Sequence, residues 1–330
     1  MSSTAVTLAE AVRAGHRRAL ARAITLVEST RADHRARATE VLELLMGATG
    51  HSIRLGISGA PGVGKSTFIE ALGGYVIDRG HRVAVLAVDP SSALSGGSIL
   101  GDKTRMEQLA RRQEAFIRPS PAGRTLGGVA RRTREAMLLC EAAGFDAILV
   151  ETMGVGQSET MVADMTDMLL LLLQPGGGDE LQGMKRGIVE LADMVVVNKA
   201  DGELRAAARR TAGDYAYALS LLRRRSQSWT VPVDTCSAIT GEGIREVWEH
   251  VEQYRNLTSA GGELAARRAE QAQAWLWSET SEELLAALRK DPGVRAELPA
   301  LEEAVKEGGI PPTQAAQRLL EVFLDKRGCT

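Results

Sequence analysis

The run GAPGVGKST at positions 59–67 has residue types and spacing suited to gripping phosphate. Its glycines let backbone N–H groups turn inward around phosphate oxygens, and a helix starting beside them adds positive partial charge. Lys65 would reach the β- and γ-phosphates, and the Ser66 hydroxyl would bind Mg²⁺. A Gly/Pro turn that happens to contain Lys-Ser is the alternative. The predicted phosphate-binding residues are Gly59, Ala60, Pro61, Gly62, Val63, Gly64, Lys65, Ser66 and Thr67.

A second motif, NKxD at Asn198, Lys199 and Asp201, follows an apolar run well downstream and suits a guanine base. The Asp201 carboxylate can accept from guanine N1–H and the 2-amino group, whereas adenine would leave it partly unpaired. Each bond lost to a charged acceptor costs about 1.5–3 kcal/mol, which is enough to select the nucleotide. Lys199 would lie along the base, Asn198 would tie this loop to the phosphate loop, and a backbone N–H of Ser237, Ala238 or Ile239 would meet guanine O6. A helix cap after a strand is the alternative.

Acidic residues follow two further apolar runs, where the ligand crevice of a parallel α/β sheet lies. Asp89 follows the first run and Glu151 the second, and Gly154 is placed to contact the γ-phosphate. The loop between them is rich in Gly and Ser, so it is either a nucleotide-ordered switch or a flexible connection. The predicted metal-associated residues are Ser66, Asp89, Asp102 and Glu151, and the predicted catalytic residues are Lys65, Glu151 and Gly154.

The attacking water has no certain partner in this sequence. Val155 follows Gly154, where a water-positioning Gln would be expected, and Gln157 is displaced. Slow intrinsic turnover is therefore predicted. A third segment, residues 174–186, carries three consecutive glycines and charges of both signs, and it is either a partner-sensing switch or a solvated loop.

The elements that must position these motifs alternate between short apolar runs and helical stretches. Strands are predicted at 53–57, 83–88, 147–150, 168–173, 194–197 and 229–233. Such nearly continuous apolar runs are typical of a mostly parallel sheet buried on both faces, so the fold class is α/β with a P-loop NTPase core. Helical patterns precede and follow it. The predicted domains are 1–50, an N-terminal helical segment, 51–257, the nucleotide-binding domain, and 258–330, a C-terminal helical segment.

Composition narrows the setting of this core. The net charge of −2 gives no global basic field for nucleic acid or membranes, and no apolar run is long enough to span a bilayer. The three cysteines have no CxxC spacing, which suits a reducing cytoplasm rather than a disulfide framework. The Arg-rich N-terminus leaves a targeting peptide as an alternative.

Taken together, the motifs resemble the SIMIBI class of P-loop GTPases and, within it, the MeaB/ArgK family of GTPase chaperones for methylmalonyl-CoA mutase. The similarity covers roughly residues 8–325. Besides the phosphate loop and VNKAD, it rests on the stretches VDPSS, GGSILGDKTRM, RPSPAGRTLGG, ETMGVGQSE and QPGGGDELQGMKRGI. Met153 departs from the Val expected in the family.

The resemblance implies several roles that the residues alone do not establish. Asp89, Asp102 and Glu151 fall on the family's metal-associated acids, and Asp179 and Lys185 fall on a mobile loop that answers to the mutase. The family is homodimeric through C-terminal helices. Its members gate adenosylcobalamin delivery to the mutase and protect that enzyme.

Two other functions stay open. A nickel-inserting metallochaperone shares this class of core, but its His or Cys clusters have no counterpart among five scattered histidines. A kinase linked to amino-acid transport would need a phosphate-acceptor site, which nothing in the sequence suggests. There is also no DxHxxG signature for binding cobalamin alone.

Overall fold

The structure is a computed structural model that describes residues 2–88, 106–120, 126–152, 158–176, 186–222 and 225–325. Five of the residues predicted to act lie outside these ranges: Asp89, Asp102, Gly154, Asp179 and Lys185. The described residues fall into two compact units, one ending at Gln271 and the other starting at Ala272.

Seven strands in the described residues form one sheet in the order β3-β2-β4-β1-β5-β6-β7, and every neighbouring pair is parallel. Parallel strands need crossover helices on both faces, which explains the nearly continuous apolar runs in the sequence. The strands are β1 (Ile53–Gly59), β2 (Val83–Val88), β3 (Ala115–Ser120), β4 (Ala147–Thr152), β5 (Met168–Leu173), β6 (Met194–Val197) and β7 (Val233–Thr235).

Helices cover both faces of this sheet. Alternate residues along each strand enter one of two buried clusters, one shared with α4, α5 and α10 and the other with α1–α3 and α6–α9. The helices of the first unit are α1 (Ser3–Arg13), α2 (Arg17–Glu28), α3 (Ala32–Leu45), α4 (Lys65–Asp78), α5 (Glu107–Arg111), α6 (Leu126–Ala142), α7 (Ser158–Ala163), α8 (Arg186–Leu191), α9 (Arg205–Ser220), α10 (Ile244–Ala260) and the start of α11 (Glu263–Lys290).

The three N-terminal helices form part of the larger buried cluster. The apolar spacing of the sequence predicts this face, and Leu8, Val12, Leu20, Ile24 and Val27 are all buried. Burying a side chain of this size contributes about 1.5–3 kcal/mol each, so the three helices are held by one shared core.

Two strands differ from the sequence-based expectation. β3 was not predicted, because Arg118 and Pro119 interrupt its apolar character, which an edge strand tolerates. The strand predicted at 229–233 was wrong in position, since β7 starts at Val233. Trp229 lies before it, where its indole Nε1 donates to Asp193 O at 2.7 Å.

The amino ends of the strands carry a repeated device. Asp146, Asp167 and Asp193 each precede a strand and accept the backbone N–H of a residue in or beside the neighbouring strand. The donors are Arg82, Arg54 and Leu169, at 2.8, 2.8 and 2.9 Å. These carboxylates therefore fix the register of β2, β1 and β5 at this edge.

Arginines from the first turns of α11 complete this amino-edge network. Arg268 is bidentate to the fully buried Asp167, with both bonds at 2.7 Å, and Arg267 contacts Asp193 at 3.1 Å. On β1, Arg54 contacts Glu141 through two nitrogens at 2.8 and 3.0 Å. Burial opposes ionisation of Glu141, but Arg54, assisted by Ser52 and the Gly50 N–H, holds the pKa of that carboxyl below its ordinary value.

The second unit continues α11 and adds α12 (Pro292–Lys306) and α13 (Pro312–Asp325). Asp291 caps α12, accepting from the backbone N–H groups of Gly293 at 2.8 Å and Val294 at 3.1 Å. On α11, Trp277 is 64% exposed while Trp275 is half-buried, so the two side chains have different surroundings. Among the described residues, no helix combines the length and apolarity needed to cross a membrane.

Candidate nucleotide site

The phosphate loop connects the end of β1 to the start of α4, the strand–loop–helix context that the sequence predicted. Gly62 and Gly64 have φ values of +83° and +93°, which glycine adopts without strain. At Gly59 the reason for glycine is close approach, because a Cβ there would lie 2.3 Å from the backbone oxygen of Leu172. The loop can therefore turn tightly only with these residues.

Lys65 opens α4 and lies almost buried beneath the loop, with 8% of its surface exposed. Its Nζ donates to the backbone oxygens of Gly59 at 2.8 Å and Ala60 at 3.1 Å. The ammonium therefore sits inside the turn that the loop makes, where a phosphate would find a positive charge beside a helix N-terminus.

Ser66 and Glu151 come together although 85 residues separate them. The Ser66 hydroxyl donates to Glu151 Oε1 at 3.1 Å, and Glu151 is 2% exposed at the end of β4. A hydroxyl and a carboxylate are hard oxygen ligands of the kind that Mg²⁺ takes alongside substrate phosphates. This pair fits a magnesium site, where the ion would offset phosphate charge.

A pair of hydroxyls joins β1 and β4 on the face of the sheet opposite to Glu151. Thr152 donates to the Ser58 hydroxyl at 3.1 Å, and both side chains are fully buried. Sequence analysis missed this contact. The one signal was two small hydroxyl residues near the carboxyl ends of two largely buried strands.

Asn198 links the base loop to the phosphate loop, as the sequence predicted. Its Nδ2 donates to Val63 O at 3.0 Å, while its Oδ1 accepts from the Ala238 N–H at 3.1 Å. Lys199 adds a second link, donating to Gly62 O at 2.7 Å from a backbone with φ of +59°. One short segment after β6 thus holds the phosphate loop and the loop after β7.

Asp201 has a side-chain oxygen that the described part of the fold leaves without a hydrogen bond. Its Oδ1 is buried, yet among the described residues it has no hydrogen-bond partner. Buried polar atoms are nearly always satisfied, so this oxygen calls for a donor that the described residues do not supply. The N1–H and 2-amino groups of guanine supply donors of that kind.

The loop after β7 has one of its three predicted N–H groups available. The Ser237 N–H donates to Glu242 O at 2.8 Å and the Ala238 N–H donates to Asn198. Within the described residues the Ile239 N–H has no acceptor, and Ile239 is 79% exposed. Among the three, it is the N–H best placed to meet a base carbonyl.

Cys236 lies under this loop, and its Sγ is 3.6 Å from Asn198 Oδ1. Burial, together with the nearby Asp234 charge, raises the pKa of the thiol to about 12. The thiol therefore stays protonated and serves as a weak donor to Asn198 rather than as a nucleophile.

The site as a whole gathers at the carboxyl ends of β1, β4, β6 and β7. The described residues predicted for phosphate, base and metal all lie at these strand ends, in the loops that follow them or in the first turn of α4, where Thr67 is exposed. A lysine and a helix N-terminus therefore face one end of this edge, and a carboxylate with an unsatisfied oxygen lies at the other. That arrangement suits a nucleotide whose phosphates are gripped at one end and whose base is recognised at the other.

Known proteins share much of this sequence. The family model for the methylmalonyl Co-A mutase-associated GTPase MeaB matches residues 20–293. A Mus musculus protein named methylmalonic aciduria type A homolog, mitochondrial, is 53% identical over 82% of this chain and 66% of its own length. GTPase ArgK of Escherichia coli K12 is 48% identical over 84% of this chain and 85% of its own length.

A solved structure agrees with the same grouping. The crystal structure of an LAO/AO transport system kinase matches with a TM-score of 0.77 and 38% sequence identity, over 98% of this chain and 99% of that one. The family match covers most of the chain, the two relatives match in sequence, and the solved structure matches in fold as well. The chain is therefore a GTPase that belongs to the methylmalonyl-CoA mutase-associated MeaB family.

Proposed function

We propose that this chain is a GTP-dependent chaperone of methylmalonyl-CoA mutase, which binds GTP with Mg²⁺ at the carboxyl edge of the sheet. The single observation that carries the nucleotide assignment is the buried Asp201 Oδ1 with no donor among the described residues. The phosphate loop and the Ser66–Glu151 pair supply the other half of the site.

Each residue has a defined part in this proposal. Lys65 and the loop amides bind the phosphates, and Ser66 with Glu151, joined by Asp89 and Asp102, holds the metal ion that offsets their charge. Gly154 senses the γ-phosphate. Turnover is slow without a partner, because Val155 stands where a water-positioning Gln would be expected.

The partner is inferred from the family description, which names the mutase. We assign Asp179 and Lys185 to sensing it, and the C-terminal helices to a homodimer contact. Exposed apolar side chains in the second unit, Leu276, Trp277 and Leu284, support that contact. In the proposal, GTP hydrolysis gates adenosylcobalamin delivery and protects the mutase, in the reducing cytoplasm that the cysteine pattern suits.

The base assignment is tested by exchanging one atom. Asp201→Asn keeps the shape but replaces an acceptor with a donor, so GTP affinity should fall at least a hundredfold, since two bonds to a charged group are lost. Xanthosine triphosphate carries an oxygen in place of the 2-amino group, so it should bind the variant more tightly than GTP does. Asp214→Asn, exposed on α9, is the matched control and should change neither affinity. Equal ATP and GTP binding by the unmodified chain would contradict the assignment.

The partner assignment needs a separate measurement. The GTPase rate of the chain should rise when purified methylmalonyl-CoA mutase is added, and the two proteins should co-migrate in gel filtration. A nickel-inserting metallochaperone, the alternative, would instead bind Ni²⁺ in equilibrium dialysis and would not respond to the mutase. A transport-linked kinase would pass the γ-phosphate to a protein rather than to water. Absence of both stimulation and co-migration would refute the chaperone proposal.

A further inference from the structure

The N-terminal helices enclose a cleft that has no part in the nucleotide site. It has a volume of about 310 Å³ and lies between α1, α2 and α3. This is near the lower end of the range for small-molecule sites. Its lining residues are Leu8, Ala21, Arg22, Thr25, Leu26 and Arg37.

Two guanidinium groups from different helices share this cleft. In the described part of the chain, neither Arg22 nor Arg37 makes an ion pair or a hydrogen bond, and the Arg37 Nε is buried without an acceptor. Arg37 is half-buried, so its charge is partly removed from water. Arg22 is exposed to solvent at the mouth of the cleft, so an anion held between the two guanidinium groups would gain hydrogen bonds from both.

Nearby carboxylates are committed elsewhere. Glu40, one turn beyond Arg37 on α3, accepts from the Ser2 backbone N–H at 2.9 Å and from its hydroxyl at 2.8 Å. Glu28 on α2 pairs with Arg118. Both acids are held by other hydrogen bonds. The charge of Glu40 interacts with that of Arg37, but Glu40 forms no ion pair with either arginine of the cleft among the described residues.

The rest of the cleft is apolar. Leu8, Ala21 and Leu26 supply hydrocarbon walls, and the Thr25 hydroxyl is already occupied, donating to Ala21 O at 2.9 Å. A volume of about 310 Å³ is many times what one water molecule needs, so the cleft has room for a short hydrocarbon chain. A ligand of that size with one charged end would match both halves of the cleft.

We propose that the cleft between α1, α2 and α3 binds a small amphiphilic oxyanion, with its charged head between Arg22 and Arg37 and its short hydrocarbon body against Leu8 and Leu26. The guanidinium fork matches the paired oxygens of a carboxylate or a phosphate ester. The terminal nitrogens of Arg37 make the contact, since its Nε is covered by protein.

Isothermal titration calorimetry on the full chain tests the head and the body separately. Hexanoate and hexyl phosphate are titrated beside their tail-less counterparts, acetate and inorganic phosphate. Each buried methylene strengthens binding roughly fourfold, so the better tailed ligand should bind at least tenfold more tightly than its tail-less counterpart. Which of the two tailed ligands binds identifies the head group.

Variants show whether the cleft is the site. Arg37→Gln should weaken binding at least tenfold, whereas Arg18→Gln, exposed one turn away on α2 and outside the lining, should leave it within twofold. Ala21→Leu keeps both charges and fills the cleft, so it should remove the advantage of the tailed ligands. Arg37→Gln breaks no hydrogen bond or ion pair among the described residues and loses only a minor electrostatic attraction to Glu40, so its thermal unfolding should stay close to that of the unmodified chain.

Two results would overturn the proposal. One is that neither tailed ligand saturates the chain up to roughly 10 mM, because a dissociation constant above that concentration is more than about tenfold weaker than one of about 1 mM. The other is an equal loss of binding in Arg18→Gln and Arg37→Gln, which would indicate general charge attraction. Neither result bears on the nucleotide site, because GTP binding is measured independently on the same variants.

Discussion

The amino edge and the carboxyl edge of the central sheet, where the strands begin and end, carry the same kinds of residue. The polar groups at these two edges are satisfied by hydrogen bonds to different degrees. At the amino edge, Asp167 and Asp193 accept from backbone N–H groups and from Arg268 and Arg267. At the carboxyl edge, Asp201 keeps a buried oxygen with no partner among the described residues. Residues that stabilise the fold therefore lie at the amino ends of the strands, and residues available for binding lie at the carboxyl ends. A carboxylate whose oxygens are all paired has no acceptor left for a ligand.

The largest expected effect is at the carboxyl edge. Lys65→Ala removes the buried ammonium beneath the phosphate loop, so single-turnover GTP hydrolysis should fall at least hundredfold, as for other preorganised groups that stabilise transition-state charge. Unfolding in urea should change little, and Lys290→Ala, a lysine near the end of α11, serves as the control. A large loss of stability with hydrolysis preserved would contradict the assignment of Lys65 to binding rather than to stability.

The reverse pattern is expected at the amino edge. Arg268→Ala leaves the fully buried Asp167 without its bidentate partner, which should lower the free energy of unfolding by about 3 kcal/mol. GTP affinity of the folded fraction should stay the same. The measurement is urea unfolding followed by circular dichroism, with nucleotide affinity determined in the absence of urea. A tenfold drop in that affinity would show that the two edges are coupled.

A smaller effect is expected at the Ser58–Thr152 contact, which lies beside Glu151 and so concerns both stability and metal binding. Thr152→Val removes the donor to the Ser58 hydroxyl at the junction of β1 and β4, which should cost about 1 kcal/mol of stability. Thr152→Ser keeps the donor and should restore most of it. If the hydroxyl pair also positions Glu151, the valine variant will need more Mg²⁺ for half-maximal hydrolysis, and the serine variant will not.

The smallest effect concerns acid pH. The pKa of Glu141 is lowered in the folded chain, mainly by Arg54 against the opposing effect of burial. Its contribution to stability is therefore present above the pKa of the unfolded chain and is lost as pH falls through the lower folded value. Urea midpoints of the unmodified chain and Glu141→Gln should differ at pH 6 and converge only at pH values well below the ordinary carboxyl pKa, where Glu141 is protonated in the folded chain as well. A difference that grows on acidification would show that the pKa of Glu141 is raised, not lowered, in the folded chain.

The sequence predicted the carboxyl edge much better than the amino edge. Motifs such as the phosphate loop have fixed local spacing, so Lys65, Ser66 and Asn198 could be assigned directly. The amino-edge pairs have no such spacing: Arg268 and Asp167 are 101 residues apart, and either alone is typical of a solvated surface. The same limit hid the Ser58–Thr152 contact.

Edge strands account for the remaining differences. β3 carries Arg118 and Pro119, and β7 has three half-buried residues, so neither has the continuous apolar run of the central strands. The apolar Trp229 led to a predicted strand that starts too early in the sequence. Its ring is buried by packing edge-on against Tyr254 rather than by strand pairing. Periodicity reports burial, and in this loop burial does not come from the sheet.

Asn198 has a consequence for how the two halves of a nucleotide would behave as separate fragments. Its amide contacts both the phosphate loop and the loop after β7, at 3.0 and 3.1 Å. Ordering either loop therefore lowers the entropic cost of ordering the other. Guanosine and pyrophosphate, offered together as unlinked molecules, should each bind more tightly than either does alone, and that synergy should disappear in Asn198→Ala.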